Sequence, residues 1–550
     1  MGGKQLGGVG VSPGRAVGPV VKVAEALVEP AVGGAVTDID AEAGRILPAS
    51  EAVAARLRAK AETVEGESRT LLETTAAMAA DPSLLSQAEQ LVKERGLHAP
   101  RAVWEAAGGF AEALTAAGGY LAERAQDVLD VRNRIVAELE GLEPPGVPEL
   151  TEPSVLVAKD LAPADTAGLN PELVLALVTE EGGPTSHTAI LARSLGIPAV
   201  VACRGLLAVE HFDKLIVNGQ TGQVELTGAD TATVRSQAFD GQPTWSGSGV
   251  TKDGHRVKVL GNVGKPADSQ AAAAAGAEGV GLFRTEFCFL SATEEPSEEE
   301  QRAAYAAVLA PFAGKPVTVR TLDAGADKPL AFLSVEGEPN PALGVRGIRL
   351  SMANPSVLDR QLAAIAAAAA DTGADVQVMA PMVATAEEAS WFVTRARAAG
   401  LARAGVMIEV PAAALAAASL LPEVDFLSLG TNDLAQYLFA ADRMLGAVAQ
   451  LNNPWQPALL ELISIVADRA ATAGKPVGVC GEAAGDPVLA CVLTGLGVTS
   501  LSMSSGALAP VGATLAQVSL DDCQLAARVA RHAADPIAAA TAARTALGLS

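Results

Sequence analysis

Basic charge is in short supply in this chain: 40 Lys and Arg stand against 63 Asp and Glu over 550 residues, a formal net charge of −23. Non-specific nucleic-acid binding needs a basic surface, so that class is excluded. The balance leaves room for a basic protein partner, and an anionic substrate would need a local basic pocket. Cysteine is sparse too. Cys203, Cys288, Cys480, Cys491 and Cys523 are scattered, odd in number and form no Cys-x-x-Cys pair. That excludes a disulfide framework and a zinc site, so a working cysteine here acts as a thiol. No apolar run approaches the roughly 20 residues of a membrane span. The alanine tract from Ala363 to Ala370 is too short and too small in side chain. The opening Met1-Gly2-Gly3-Lys4-Gln5-Leu6 has neither the apolar core of a signal peptide nor the Ser or Thr of a myristoylation site, so a cytoplasmic protein is expected. Aromatic residues make up only 3% of the chain while apolar residues reach 49%, much of that alanine. This mixture suits a multidomain α/β protein with alanine-rich helices.

Patterning divides the chain. From Gly8 to Val23 it reads as short strands around the turn Ser12-Pro13-Gly14. From about Asp38 to Leu142, heptad-like spacing such as Ala52-Val53-Leu57 and Tyr120-Leu121-Val128 predicts helices. Asp81-Pro82-Ser83 is a helix start, and Gly108-Gly109 and Gly118-Gly119 read as weak spots or breaks. Pro144-Pro145-Gly146 closes this region, and strand and helix signals then alternate from Val155 to Leu226. The expected organisation is a helical domain over 31–143 inserted into a discontinuous α/β domain over 1–30 and 144–228. A linker follows at 229–250, Gly-Ser-rich near Asp240 to Ser248. Beyond it, β-type runs recur between helical stretches: Val257 to Asn262, Gly279 to Phe283, Val317 to Thr321, Val376 to Ala380, Val406 to Val410, Phe426 to Leu429, Val477 to Val479 and Ser500 to Met503. About eight such units over 251–550 predict a C-terminal (β/α)8 TIM barrel, with an open parallel sheet as the alternative. Polar and charged residues cluster just after each run, where a barrel carries its active site.

The stretch Glu181-Gly182-Gly183-Pro184-Thr185-Ser186-His187-Thr188-Ala189-Ile190 follows the apolar run Leu173 to Val178, a predicted buried strand, and opens a predicted helix. Two glycines make the turn, and Thr185 and Ser186 are natural caps. His187 therefore falls at or near a helix N-terminus, where free N–H groups favour an anion. An imidazole there can attack phosphorus, although a histidine in such a turn can also be a simple cap. The whole string resembles the phosphohistidine domain shared by Enzyme I of the phosphoenolpyruvate sugar phosphotransferase system, phosphoenolpyruvate synthase and pyruvate phosphate dikinase. The match continues through Gly196-Ile197-Pro198-Ala199-Val200. It implies that His187 is the phosphoryl carrier, through its tele nitrogen, and that its α/β domain swivels.

Arg284 in Gly281-Leu282-Phe283-Arg284-Thr285-Glu286-Phe287, Arg320 in Val319-Arg320-Thr321-Leu322-Asp323, and Arg443 in Ala441-Asp442-Arg443 are expected at strand ends. Guanidinium forks match phosphate and carboxylate, and phosphoenolpyruvate carries both. Glu409 and Asp433, in Ile408-Glu409-Val410-Pro411 and Gly430-Thr431-Asn432-Asp433, are expected to end neighbouring strands. Two carboxylates with waters and substrate oxygens suit Mg²⁺; a glycosidase pair is the alternative, disfavoured by the arginines. Cys480 in Gly478-Val479-Cys480-Gly481-Glu482 follows the seventh run, where a thiol can protonate an enolate or simply pack.

In order and in detail these strings resemble the phosphoenolpyruvate-binding barrel of Enzyme I. The resemblance implies that Arg284, Arg320 and Arg443 bind substrate, that Asn432 contacts its phosphate, and that Glu409 and Asp433 hold Mg²⁺. It implies Cys480 as proton donor. Arg346, in Asn340-Pro341-Ala342-Leu343-Gly344-Val345-Arg346, is placed near the phosphate. The dikinases set a large nucleotide-binding module before the histidine, whereas here the preceding region is modest and shows no Gly-rich phosphate loop. It looks like the helical domain on which Enzyme I docks the carrier protein HPr, with Arg124 in Tyr120-Leu121-Ala122-Glu123-Arg124 as a contact. The resemblance further implies a homodimer through the barrel; charge and the lack of long apolar runs lead to no nucleic acid and no membrane being expected among the partners. Hinges are expected near Ala31 to Val36 or Glu143 to Pro148, and near Gly241 to Ser248. Two departures stand out: Thr75 where the family often has histidine, and Gly325-Ala326 where it has paired glycines. The rival functions are a nucleotide-using dikinase and a non-catalytic sensor that reports phosphoenolpyruvate through phosphorylated His187.

Overall fold

The structure is a computed structural model. It describes residues 5–12, 14–23, 27–31, 33, 36–62, 67–117, 119–142, 146–148, 150–161, 169–170, 172–183, 187–209, 213–219, 222–228, 231–234, 245–289, 292, 294–325, 330, 332–333, 337–443 and 445–549. The chain divides into two compact units that part near residue 238.

The first unit is built on eight described strands: β1 (Gln5–Gly7), β2 (Val9–Ser12), β3 (Arg15–Lys22), β4 (Ser154–Ala158), β5 (Val174–Thr179), β6 (Ala199–Val201), β7 (Lys214–Asn218) and β8 (Gln223–Thr227). They form one sheet in the order β1-β8-β7-β3-β4-β5-β6-β2. β3, β4, β5 and β6 pair in parallel. β4 and β5 are buried at every position, as near-continuous apolar strands covered on both faces should be. β7 and β8 make an antiparallel hairpin, and β7 alternates buried and half-buried residues with the period of two of a one-sided strand.

Between β3 and β4 the described chain makes six helices, Ile39–Ala43, Ile46–Ala61, Glu67–Ala79, Pro82–Arg95, Ala99–Ala117 and Gly119–Glu140. Their aliphatic core includes Val53, Leu57, Leu72, Leu84, Val103 and Ile135. Asp81 starts its helix as the sequence suggests. Its carboxylate accepts from the N–H groups of Ser83 at 2.7 Å and Leu84 at 3.2 Å, and Pro82 takes a first-turn position that has no N–H partner to lose. The break expected at Gly108-Gly109 is absent, because Ala99–Ala117 runs through it. Each glycine costs about 1 kcal/mol relative to alanine, and burial of Ala102, Val103, Ala106 and Ala107 on the same helix outweighs that cost. The side chains of Tyr120, Leu121 and Arg124, and all of Gly118, lie outside the described residues.

In the second unit eight parallel strands close into a barrel: β9 (Lys258–Val263), β10 (Val280–Arg284), β11 (Pro316–Arg320), β12 (Asp375–Ala380), β13 (Ala404–Ile408), β14 (Leu427–Leu429), β15 (Val477–Val479) and β16 (Ser500–Met503). β16 returns to β9 with Leu501 opposite Val259, so the open-sheet alternative falls. All eight strands coincide with the expected runs to within two residues. Capping boxes at Ser297 with Glu300, Thr385 with Glu388 and Ser519 with Asp522 start three of the outer helices. Among the described residues, no helix is long and apolar enough to cross a membrane.

Candidate active site

The C-terminal strand ends gather the groups singled out from the sequence. Arg284 is the last residue of β10 and Arg320 the last of β11; Glu409 directly follows β13 and Cys480 directly follows β15. Two placements differ from expectation. β14 turns straight into the helix Thr431–Leu438, so Asn432 and Asp433 occupy a helical first turn and not a strand end. Arg443 lies beyond that helix, yet its guanidinium still comes within 3.8 Å of Asp433.

The arginines are held differently. Arg320 is buried between two carboxylates, Glu286 at 2.5 Å and Asp323 at 3.2 Å. Burial pulls its pKa down, but those carboxylates hold it above its ordinary value. Arg346, 1% exposed, spans two forks: Asp323 accepts at 3.1 Å from both Nε and Nη2, and Asp433 accepts at 3.3 Å from both Nη1 and Nη2. Its Nη1 also donates to the Tyr437 hydroxyl at 3.2 Å. Arg284 stacks its guanidinium 4.6 Å from the Phe287 ring centre, and burial lowers its pKa. The Nε atoms of Arg284 and Arg320 are buried with no hydrogen-bond partner among the described residues. Buried orphan donors are costly, so two at one mouth mark a place where an anion fits.

Glu409 is buried, and its Oε1 accepts from the Met382 N–H at 2.6 Å. Met382 holds that N–H from a φ of 59°, a strained conformation for a side chain of its size. At Gly430 a Cβ would stand 2.9 Å from the Glu409 Oε2, so glycine there makes room for the carboxylate. Burial first, then the Asp323 and Asp433 carboxylates, push the Glu409 pKa up to about 7. A hard cation between Glu409 and Asp433 would relieve that crowding, and an all-oxygen pair completed by water and substrate suits Mg²⁺. The donor set therefore fits a divalent cation. No cluster of three or more His, Cys, Asp or Glu suited to a metal exists among the described residues.

Cys480 accepts from the Ser428 hydroxyl at 3.3 Å and donates to the Leu429 carbonyl at 3.5 Å. Burial pushes its thiol up to about 11, so it keeps its proton at neutral pH. Asn432 accepts from the Glu482 N–H at 3.1 Å through Oδ1, which ties the first turn after β14 to the segment after Cys480. At Gly481 a Cβ would meet Thr431 Oγ1 at 1.9 Å, so only glycine allows this approach. Sequence reasoning gave no role to Asp323 or Glu286, though both sit inside the quoted motifs. A carboxylate three or two residues after a strand-end arginine was the available signal.

In the first unit, β5 leads through Glu180–Gly183 to the helix His187–Leu195, which begins at His187 as expected. Gly182 takes φ +90, a turn conformation open to glycine. Thr188 is buried, and its Oγ1 has no partner among the described residues. The capping residues Thr185 and Ser186 and the side chain of His187 lie outside the described residues.

Three protein families match, in chain order. Residues 7–124 match the family described as PEP-utilising enzyme, N-terminal; residues 150–222 match its mobile domain; residues 244–520 match its PEP-binding domain. The chain is 52% identical over 550 residues to the phosphoenolpyruvate-protein phosphotransferase of Streptomyces coelicolor, covering 98% of this chain and 99% of that one. It is 39% identical over 515 residues to that of a Bacillus species, covering 89% of each. Against that of Geobacillus stearothermophilus it is 38% identical over 514 residues, covering 88% of this chain and 89% of the other.

Proposed function

This chain belongs to the phosphoenolpyruvate-protein phosphotransferases, the Enzyme I family, and on that premise we propose how its residues perform the transfer. Phosphoenolpyruvate binds at the barrel mouth. Arg284 and Arg320 take its phosphate, Arg443 and Arg346 lie beside it, and Asn432 contributes its side-chain amide. The pair of orphan Nε donors beside buried carboxylates is the observation that carries this reading. Glu409 and Asp433 would hold Mg²⁺, which when bound neutralises charge on the phosphate oxygens.

The tele nitrogen of His187 attacks phosphorus. An N–P bond forms, the bond from phosphorus to the enol oxygen breaks, and the electron pair leaves with the enolate. Cys480 gives its S–H proton to the enolate methylene carbon, and water later restores the thiol proton. The buried thiol, up at about 11, is suited to donate at neutral pH because it is not already ionised. Phosphorylated His187 then passes the group to a histidine of HPr. The division into a swivelling histidine domain (1–30 and 144–228), a helical HPr-binding domain (31–143), a linker (229–250) and a barrel (251–550) that also forms the homodimer completes the reading. A cytoplasmic location goes with it.

The test is transfer of label from phosphorus-labelled phosphoenolpyruvate with Mg²⁺, followed by HPr. Acid-labile label that His187→Ala abolishes and that chases onto HPr supports the reading. Label that stays on the protein, or that arrives only from ATP, overturns it in favour of a sensor or a dikinase.

A further inference from the structure

Behind the arginine pair lies a polar network in an otherwise apolar interior. The helix Pro355–Thr372 buries Leu358, Gln361, Leu362 and Ile365, the i, i+3, i+4, i+7 stripe of a core-facing helix. Gln361 stands on that stripe at 1% exposure, where an apolar side chain would cost less. The neighbouring helix Glu298–Leu309 repeats the anomaly by burying Gln301 and Tyr305.

The partners of Gln361 give it one orientation. The Leu322 N–H can only donate, and it does so to Gln361 Oε1 at 3.1 Å, which fixes Nε2 as the donor end. Nε2 then donates to Thr285 Oγ1 at 3.1 Å and to the Tyr305 hydroxyl at 3.0 Å. Thr285 donates onward to the Arg320 carbonyl at 2.8 Å, and Tyr305 donates onward to Gln301 Oε1 at 3.2 Å. Phe283 and Phe289 pack edge-on against the Tyr305 ring at 5.9 and 5.8 Å, so the hydroxyl has little freedom. One buried amide thus grips Thr285, the residue after Arg284, and Leu322, two residues after Arg320, while Thr285 itself holds the Arg320 carbonyl. The strands that present the two guanidinium groups already pair directly, with Arg284 opposite Arg320, and Gln361 braces the segments that leave them.

We propose that Gln361 is a positioning residue for phosphoenolpyruvate binding: beyond the strand pairing it holds Thr285 and Leu322, the segments that follow β10 and β11, so that Arg284 and Arg320 meet one phosphate together. This rests on the reading of those arginines given above. Gln361 touches no substrate. Its effect passes through Thr285 and the Arg320 and Leu322 backbone, where a shift of an ångström or less separates two forks that must converge.

The experiment compares the full-length protein with Gln361→Met, which keeps the length and loses every polar bond. It measures the KM for phosphoenolpyruvate in steady turnover with HPr, and separately the rate at which pre-phosphorylated protein passes its group to HPr. A loss of folded protein lowers the amount of active enzyme and leaves KM alone, whereas misplaced arginines raise KM. The expected result is a rise in KM of about tenfold with transfer to HPr unchanged. An unchanged KM in folded Gln361→Met overturns the proposal. Should that variant not fold, Thr285→Val keeps the shape and removes the hydroxyl through which Gln361 reaches the Arg320 carbonyl, and a KM that does not rise there overturns it equally. Arg320→Lys separates the two levels. If it leaves KM unchanged, the assignment of the arginines is wrong and the proposal falls with it; if it raises KM while Gln361→Met does not, only the positioning role fails.

Discussion

Replacing Arg346 with methionine removes a cation that both Asp323 and Asp433 grip as a fork. Breaking a buried ion pair from one side costs about 3–5 kcal/mol, because the partner charge is left without compensation. Asp323 keeps Arg320 at 3.2 Å, which places the expected loss near the lower end, at about 3 kcal/mol. The lost contact to Tyr437 adds about 1 kcal/mol. The pH dependence has a definite sign. Burial first, then Asp323 and Asp433, drive the upward shift of Glu409, and Arg320 and Arg346 restrain it. Without Arg346 the Glu409 carboxyl rises further above its unfolded value, so the folded variant keeps its proton to higher pH than the unmodified protein does. Stability contributed by a raised group is present below the unfolded pKa and lost as pH rises through the folded one. Glu409 already stands at about 7 in the unmodified protein, so both proteins lose it alike up to there, and the deficit at pH 8 exceeds that at pH 6. Asp323→Asn in the Arg346→Met background removes one of the stranded charges and should return about 1–2 kcal/mol, a coupling that the cycle of single and double variants isolates. Urea unfolding in chelator, read in a Trp104→Phe background from the second unit's Trp245, Trp391 and Trp455, measures all of this. A deficit below about 1 kcal/mol at pH 8, the same deficit at both pH values, or strictly additive variants would refute the reasoning.

Cys480→Ala should leave transfer from phosphorylated protein to HPr intact while turnover of phosphoenolpyruvate drops by roughly 10² or more, since only the enolate step uses the thiol; normal release of pyruvate would sink that role. In the unmodified protein, a thiol raised from 9.0 to about 11 holds about 10²-fold less thiolate at pH 8 than an unperturbed one. Alkylation of Cys480 by iodoacetamide, followed by mass spectrometry, should be slower than that of a model thiol by at least that factor and should quicken as pH rises.

Family, architecture and the strand-end positions of most candidate site residues were determined by the sequence itself. Eight apolar runs at barrel spacing specify eight strands because a parallel strand buried on both faces needs a near-continuous apolar stretch, and such stretches are visible one residue at a time. Asp81-Pro82 marks its helix start because a cap is a local device, complete within four residues. The positions of Arg284, Arg320, Glu409 and Cys480 followed from the runs they terminate. Other features depended on partners far along the chain. Gly108-Gly109 reads as a break in isolation, but it is overruled by packing that local propensity does not contain. Arg443 reads as a strand end, yet β14 ends at Leu429 and the helix Thr431–Leu438 comes between them. Asp323 and Glu286 look like ordinary acidic residues until Arg320 and Arg346 are seen against them. Gln361 lies 76 residues from Thr285 and 39 from Leu322. Its polarity on an apolar stripe is legible in the sequence, but what it holds is decided by barrel closure, which carries strand ends distant in the chain to the same helix.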